Sequence, residues 1–164
     1  MAMRRRVFTV GEANALIPDL RGTLTRIREL RGVVEVRTDK LKVLDVIWGK
    51  GVVAADNPDH TEFRRHRRAI AGSVEEIERL IRKDILDKGV RFPQGGLEHG
   101  LLDFPSRLDG RWIFLCWQMD EPQILAWHEV EGGFAGRRPL TPELERRMGR
   151  RGPEDPSIGP DHDL

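Results

Sequence analysis

Apolar residues recur at three- and four-residue steps through the first third of the chain, with charged residues between them. This spacing predicts one long amphipathic helix that begins near Val10 and stops at Gly49. Thr9 and Glu12 form a capping-box pattern at its start. Pro18 lacks a backbone donor, so we expect it to kink or divide this helix. The predicted apolar stripe consists of Leu20, Leu24, Ile27, Leu30, Val34, Leu41, Leu44 and Trp48.

A second helix is predicted from Pro58 to Lys88, with Asn57 or Asp59 as its cap and Gly89 as the residue that ends it. Its predicted buried stripe consists of Phe63, Ile70, Val74, Ile77, Ile81 and Ile85. The two helices have matched lengths, which favours an antiparallel hairpin. Both stripes are narrow, so the rest of the chain or a second copy must cover their edges. We therefore expect a homodimer formed through the long helices.

From Val90 onward the period shortens to two, which indicates strands. Both faces of the segment 112–117 are apolar, so both should be buried. Asp109-Gly110 is a turn signal before this strand. A reversal at 119–122 should lead into a partner strand over 123–130, and the segment 101–104 should pair on the other side. These elements predict an α+β fold in which a small antiparallel sheet packs with the hairpin.

The predicted organisation is a single α+β domain over residues 1–150, followed by a tail at 151–164. Within the domain, 8–89 form the hairpin, 90–139 the sheet and loop, and 141–150 a short helix. The tail is rich in Pro and Asp and has little apolar surface to bury, so we expect it to be disordered.

Composition narrows the function classes. The 164 residues include 28 basic and 27 acidic ones, so the net charge is +1 and gives no global attraction to nucleic acid or anionic membrane. No signal-like core and no run of about 18 apolar residues occurs, so we expect no membrane association. A single cysteine cannot form an internal disulfide. These features predict a cytoplasmic protein.

Several separated blocks resemble those of an uncharacterised prokaryotic family known as domain of unknown function 2203. The similarity runs from about Phe8 to Leu140 and rests on Phe8-Thr-Val-Gly-Glu-Ala-Asn-Ala-Leu-Ile-Pro18, Gly100-Leu-Leu-Asp-Phe-Pro105, Leu115-Cys-Trp117, Glu121, Trp127-His128 and Gly133-Phe-Ala-Gly-Arg137. The resemblance implies no particular activity, cofactor or catalytic residue, because none is established for that family.

Residues 100–138 concentrate tryptophans, the cysteine, a histidine and carboxylates among turn residues, as expected of a binding site. The candidate ligand-binding residues are Asp103, Trp117, Glu121, Trp127, His128 and Arg137. No cofactor motif or nucleophile motif is present. We predict a non-enzymatic interaction or small-ligand-binding module. The alternative is a metal-dependent or acid/base enzyme that uses the same carboxylates, His128 and Arg137.

Cys116 and His128 are the side chains best suited to bind zinc. If a turn at 119–122 places Cys116 opposite Leu125, however, His128 lies about 10 Å further along the strand. With an odd-length loop the two would share a face but lie further apart still. Both registers predict that the two share no metal ion and that Cys116 is a small buried hydrophobe.

Basic runs at 4–6, 64–68 and 146–147 suggest nucleic-acid contacts. The arginines of 64–68 spread around more than one helical turn, and Glu75, Glu76 and Glu78 follow them. A solvated helix face therefore accounts for them better than a nucleic-acid site.

Overall fold

Long helices and a four-stranded antiparallel sheet give the chain an α+β fold, as predicted. The computed structural model describes residues 6–149, so the predicted disordered tail lies outside the described residues. The helices are α1 (Val10–Trp48), α2 (His60–Leu80), α3 (Gly96–His99) and α4 (Pro142–Arg147). The strands are β1 (Leu101–Leu108), β2 (Arg111–Gln118), β3 (Ala126–Glu129) and β4 (Arg138–Pro139).

Contacts divide these residues into two units. The sheet unit contains the described residues up to Gly22 together with those from Asp84 onward, and the helical unit is Thr23–Lys83. The helix α1 contributes its first turns to the sheet unit and its remainder to the helical unit.

The helical unit is an antiparallel hairpin. Arg37 contacts His66, and the earlier residue Arg26 interacts electrostatically with the later residue Glu76. The two helices therefore run in opposite directions. The buried side chains are Leu24, Ile27, Leu30 and Leu44 from α1, Val52 from the 3-10 turn Gly49–Val53, and His66, Ser73 and Leu80 from α2. The predicted stripe of α2 is partly wrong, because Val74 is 40% exposed. The buried residues of α2, His66, Ser73 and Leu80, are spaced seven residues apart. His66 and Ser73 are polar, so a search for apolar residues does not identify them.

The capping box at the start of α1 is confirmed. The amide of Thr9 donates to Glu12 Oε1 at 3.2 Å, and the amide of Glu12 donates to Thr9 Oγ1 at 3.1 Å. The expectation that Pro18 divides the helix is wrong, since α1 is unbroken across it, and the expected kink stays a prediction. Ala13 and Ile17 before the proline and Leu20 after it are all buried, so packing on both sides offsets the lost hydrogen bond.

The second helix is shorter than predicted. It begins at His60, ends at Leu80 and continues as a π-helical turn (Ile81–Ile85) and a 3-10 turn (Leu86–Lys88). Gly89 follows with a φ of 89°, which confirms it as the left-handed terminator. Asp59 does not cap α2 with its side chain, because Asp59 Oδ2 accepts a hydrogen bond from the Trp48 indole at 2.7 Å.

The sheet has the order β1-β2-β3-β4, with each pair antiparallel. Asp109 and Gly110 both have positive φ between β1 and β2, as the Asp-Gly turn signal predicts. The strand β1 extends beyond the predicted Phe104 to Leu108, whereas β3 covers only the middle of the predicted 123–130. One face packs Phe104 edge-on against Phe8 at 5.3 Å between ring centroids. The other face bears the polar cluster described below.

Within residues 6–149, no helix combines the length and apolarity needed to cross a membrane.

Candidate functional site

Strand register brings Asp103, Cys116 and His128 together on one face of the sheet. Asp103 lies directly opposite Cys116, and Cys116 lies opposite Ala126, two residues before His128 on β3. Residues two apart on a strand share a face. One potential ligand atom from each of the three side chains lies within 4.8 Å of the other two. We call these three residues the polar cluster.

Hydrogen bonds fix the orientation of the His128 ring. Its Nδ1 lies 2.7 Å from the carbonyl oxygen of Glu129, and its Nε2 lies 3.0 Å from Asp103 Oδ1. A carbonyl and a carboxylate can only accept, so both ring nitrogens donate and the ring is an imidazolium. Nδ1 is committed to the backbone, which leaves Nε2 as the atom that faces the other members of the polar cluster.

Electrostatics agree with this geometry. Burial lowers the pKa of His128, but hydrogen bonds with Asp103, Cys116 and the Glu129 carbonyl outweigh it and raise that pKa to about 10. Asp103 is 4% exposed, Cys116 is 0% exposed and His128 is 1% exposed. The polar cluster is therefore a buried site in which Asp103 and Cys116 stabilise the positive charge of His128.

The predicted register between β2 and β3 is wrong by one residue. Cys116 lies opposite Ala126 rather than Leu125, so His128 is two positions along β3 and not three. That difference moves His128 onto the same face as Cys116 and shortens the separation along the strand to about 7 Å, which side chains can span. The geometric reason for excluding a shared ion therefore no longer holds.

Glu121, in the loop between β2 and β3, forms a second group with Trp117 of β2 and with Arg137, which directly precedes β4. We call these three residues the loop group. Glu121 Oε1 accepts hydrogen bonds from Arg137 and from the Gln118 amide. The Trp117 indole donates to the carbonyl of Glu121 at 2.9 Å. Arg137 also donates to the Cys116 carbonyl at 3.2 Å. This hydrogen bond connects the loop group to the backbone of the polar cluster.

Trp127 is not part of either group. It lies opposite Leu115 on the other face of the sheet, and Arg138 stacks 5.2 Å from its ring centroid. Its buried indole Nε1 has no hydrogen-bond partner. The six candidate residues are thus divided by the structure into Asp103 with His128, Trp117 with Glu121 and Arg137, and Trp127 alone.

The sequence pattern did not identify two residues that contribute to the candidate site, Cys116 and Arg21. Cys116 is predicted to be a core hydrophobe, although a ligand atom of Cys116 lies within 4.8 Å of those of Asp103 and His128. Arg21 reaches the loop from α1, where its guanidinium donates to the carbonyl of Glu121 at 2.8 Å and to that of Met119 at 3.4 Å. Cys116 follows from the correct register, whereas nothing in the local pattern around Arg21 indicates a contact 100 residues away.

The basic run of α2 is solvent-exposed. Arg64, Arg65 and Arg68 line a shallow groove of about 350 Å³ together with His60 and Thr61. Of the other basic runs, Arg6 stacks on Phe8 and Arg147 pairs with Asp109, both within the sheet unit, while Arg4 and Arg5 lie outside the described residues.

No curated protein and no solved structure matches this chain. One family model matches residues 6–140, which is most of the sequence. The chain belongs to the family described as "Uncharacterized conserved protein (DUF2203)".

Proposed function

We propose that this protein is a cytoplasmic, non-enzymatic module that self-associates through its helical unit and binds a small ligand in its sheet unit. The cytoplasm is the proposed compartment because a chain with one free cysteine suits a reducing environment. The observation behind self-association is a second apolar stripe on α1.

This second stripe, which we call the outer stripe, consists of Val33, Val36, Lys40, Val43 and Ile47. Its members repeat at steps of three and four, and they lie beside the side of α1 that carries Val34, Leu41 and Leu44. Its apolar members are exposed by 40%, 55%, 58% and 58% in chain order. A helix with two adjacent seven-residue stripes is typical of bundles with more than two helices.

The matching side of α2 offers room for a partner. Arg26 directly precedes Ile27, and Glu76 directly precedes Ile77. Because Arg26 and Glu76 interact, the side of α1 that carries the outer stripe lies next to the side of α2 that carries Glu76. On that side lie Ala69 and Gly72, and a Cβ built on Gly72 meets no atom within 4 Å. Valines from another helix pair can therefore approach closely beside the outer stripe.

A second copy is the occupant that we propose. Between Val33 and Ile47 the chain has three acidic and three basic residues, so this surface does not repel an identical one. A two-fold dimer uses the same patch twice, and such isologous dimers are the commonest oligomers. Pairing two hairpins would form a four-helix bundle and remove the exposed valines from water.

The polar cluster supports binding better than acid/base catalysis. A general base works best when its pKa is near the operating pH, whereas that of His128 is raised to about 10. Both of its nitrogens also have partners inside the fold. The enzyme alternative would gain support if purified protein turned over a substrate with loss of activity in His128→Asn.

Sedimentation equilibrium at micromolar concentration tests the self-association. We expect wild-type protein to have twice the mass of one chain, and Val36→Lys with Val43→Lys together to convert it to a monomer that keeps its helical circular dichroism. The matched control is Val46→Lys, since Val46 is 86% exposed but lies off the outer stripe. That variant should remain dimeric. A wild-type monomer, or a dimer that survives the double substitution, would contradict the proposal.

A further inference from the structure

The polar cluster has the composition of a transition-metal site. Thiolate sulfur, imidazole nitrogen and carboxylate oxygen are the three ligand types of protein-bound zinc, with bond lengths of about 2.0 to 2.3 Å. Calcium and magnesium instead require sets of oxygen ligands. The mixed set of Asp103, Cys116 and His128 therefore selects for Zn²⁺ or a similar first-row ion.

The distances fit such an ion. Around a tetrahedral Zn²⁺ the ligand atoms are about 3.3 to 3.7 Å from one another, as follows from its bond lengths. In this structure the three ligand atoms lie within 4.8 Å of one another, and His128 Nε2 is 3.0 Å from Asp103 Oδ1. An ion would require side-chain rotations that bring all three atoms to a common centre, and because the residues already share one face, the strand register would stay as it is.

The surroundings of His128 also match a metal ligand. Metal-binding histidines almost always donate their second N–H to a carbonyl or carboxylate, which orients the ring. Here Nδ1 donates to the Glu129 carbonyl at 2.7 Å, which leaves Nε2, 3.0 Å from Asp103 Oδ1, as the nitrogen available to an ion. The hydrogen bond that orients the His128 ring is thus formed before any ion arrives.

We infer that Asp103, Cys116 and His128 bind one Zn²⁺-class ion per chain, with Nε2, the thiolate sulfur and a carboxylate oxygen as ligands. On binding, the ion forms bonds to these three atoms, while the imidazolium Nε2 and the Cys116 thiol each release one proton to solvent. Asp103 and thiolate together supply two negative charges, which balance the divalent ion. Three protein ligands leave the fourth position of a tetrahedral ion to a small molecule such as water. This inference specifies the ligand in the proposed function but does not depend on self-association.

Cobalt substitution tests it. The full-length protein is treated with a chelator, freed of it, and titrated with Co²⁺ while the absorption spectrum is recorded. We expect saturation at one ion per chain, with a sulfur-to-cobalt charge-transfer band and the visible bands of a tetrahedral ion. The chain contains one cysteine, so any such charge-transfer band reports on Cys116 alone. Added Zn²⁺ should abolish these bands by displacement, and it should raise the melting temperature of the metal-free protein.

Variants identify the ligands. Cys116→Ser should lose the charge-transfer band, and Asp103→Asn should weaken Co²⁺ binding by at least tenfold. His99→Asn is the matched control because His99 is exposed on α3 in the same unit, and it should bind like wild type. If Cys116→Ser fails to fold, the wild-type spectrum still decides the question. The inference fails if wild-type protein shows no charge-transfer band with saturating Co²⁺, or if Asp103→Asn binds as tightly as wild type. Sedimentation of the same samples reports separately on the dimer.

Discussion

Among residues 6–149, each unit buries one histidine, and the two histidines differ in what surrounds them. In the helical unit, His66 Nδ1 lies 2.9 Å from an Arg37 nitrogen, and Arg37 can only donate, so this ring accepts there and is neutral. In the sheet unit, His128 faces acceptors on both sides and is an imidazolium. Burial alone therefore does not determine the charge of a histidine; the donor or acceptor character of its partners does.

The environments of the partners differ as well. Asp103 is 4% exposed, so its charge depends on His128 for compensation. Glu62, which accepts from His66 Nε2 at 3.2 Å, has a side chain that is 52% exposed and remains hydrated. Loss of the histidine should consequently matter far more in the sheet unit.

The largest expected effect comes from His128→Leu in metal-free protein at pH 7. This substitution leaves the Asp103 carboxylate buried without its cation, which costs about 3 to 5 kcal/mol of the free energy of unfolding. Urea denaturation followed by circular dichroism measures it. His99→Asn should change stability by less than about 0.5 kcal/mol, as exposed substitutions do. A loss below about 1 kcal/mol in His128→Leu would mean that the polar cluster is not an ion pair.

The second prediction concerns the pH dependence of metal-free protein. The folded pKa of His128 is raised to about 10 from an ordinary value of 6.5, so its contribution is complete below pH 6.5 and is lost as pH rises through 10. We expect the free energy of unfolding to fall between pH 7 and pH 10. The chain has no tyrosine to titrate in this range. In His128→Leu the fall should shrink, whereas His66→Leu should keep it; equal slopes in all three proteins would contradict the assignment.

The smallest expected effect comes from His66→Leu. The Arg37 guanidinium loses one acceptor but is only partly buried, so the cost should be about 1 kcal/mol. Adding Arg37→Leu removes the unpaired donor and places leucines opposite each other in the hairpin, which should restore or exceed wild-type stability. Urea denaturation of the single and double variants checks this. A double variant less stable than His66→Leu would contradict this expectation.

Much of the fold follows from the sequence, because helix and strand periods are local properties. The end of α1 at Trp48, the capping box at Thr9 and the terminator Gly89 were predictable, since each depends on residues within one or two turns. The packed positions of α2 were predicted less well, because His66 and Ser73 are polar, and an apolar pattern does not reveal that they are buried. The division expected at Pro18 failed for a similar reason, as the packing around Ile17 depends on the sheet unit.

The arrangement of the candidate site could not be predicted from local sequence patterns. The sequence determined that Asp103, Cys116 and His128 lie on strands near one another along the chain. Tertiary structure decided that they share a face, because the register of β3 depends on how the loop after β2 folds. That loop is ordered by Arg21 from α1 and by Glu121 with Arg137, contacts that no local period predicts. A shift of one residue in an extended strand reverses the side to which every side chain points, so long-range hydrogen bonds to one loop determine whether this protein has a polar cluster at all.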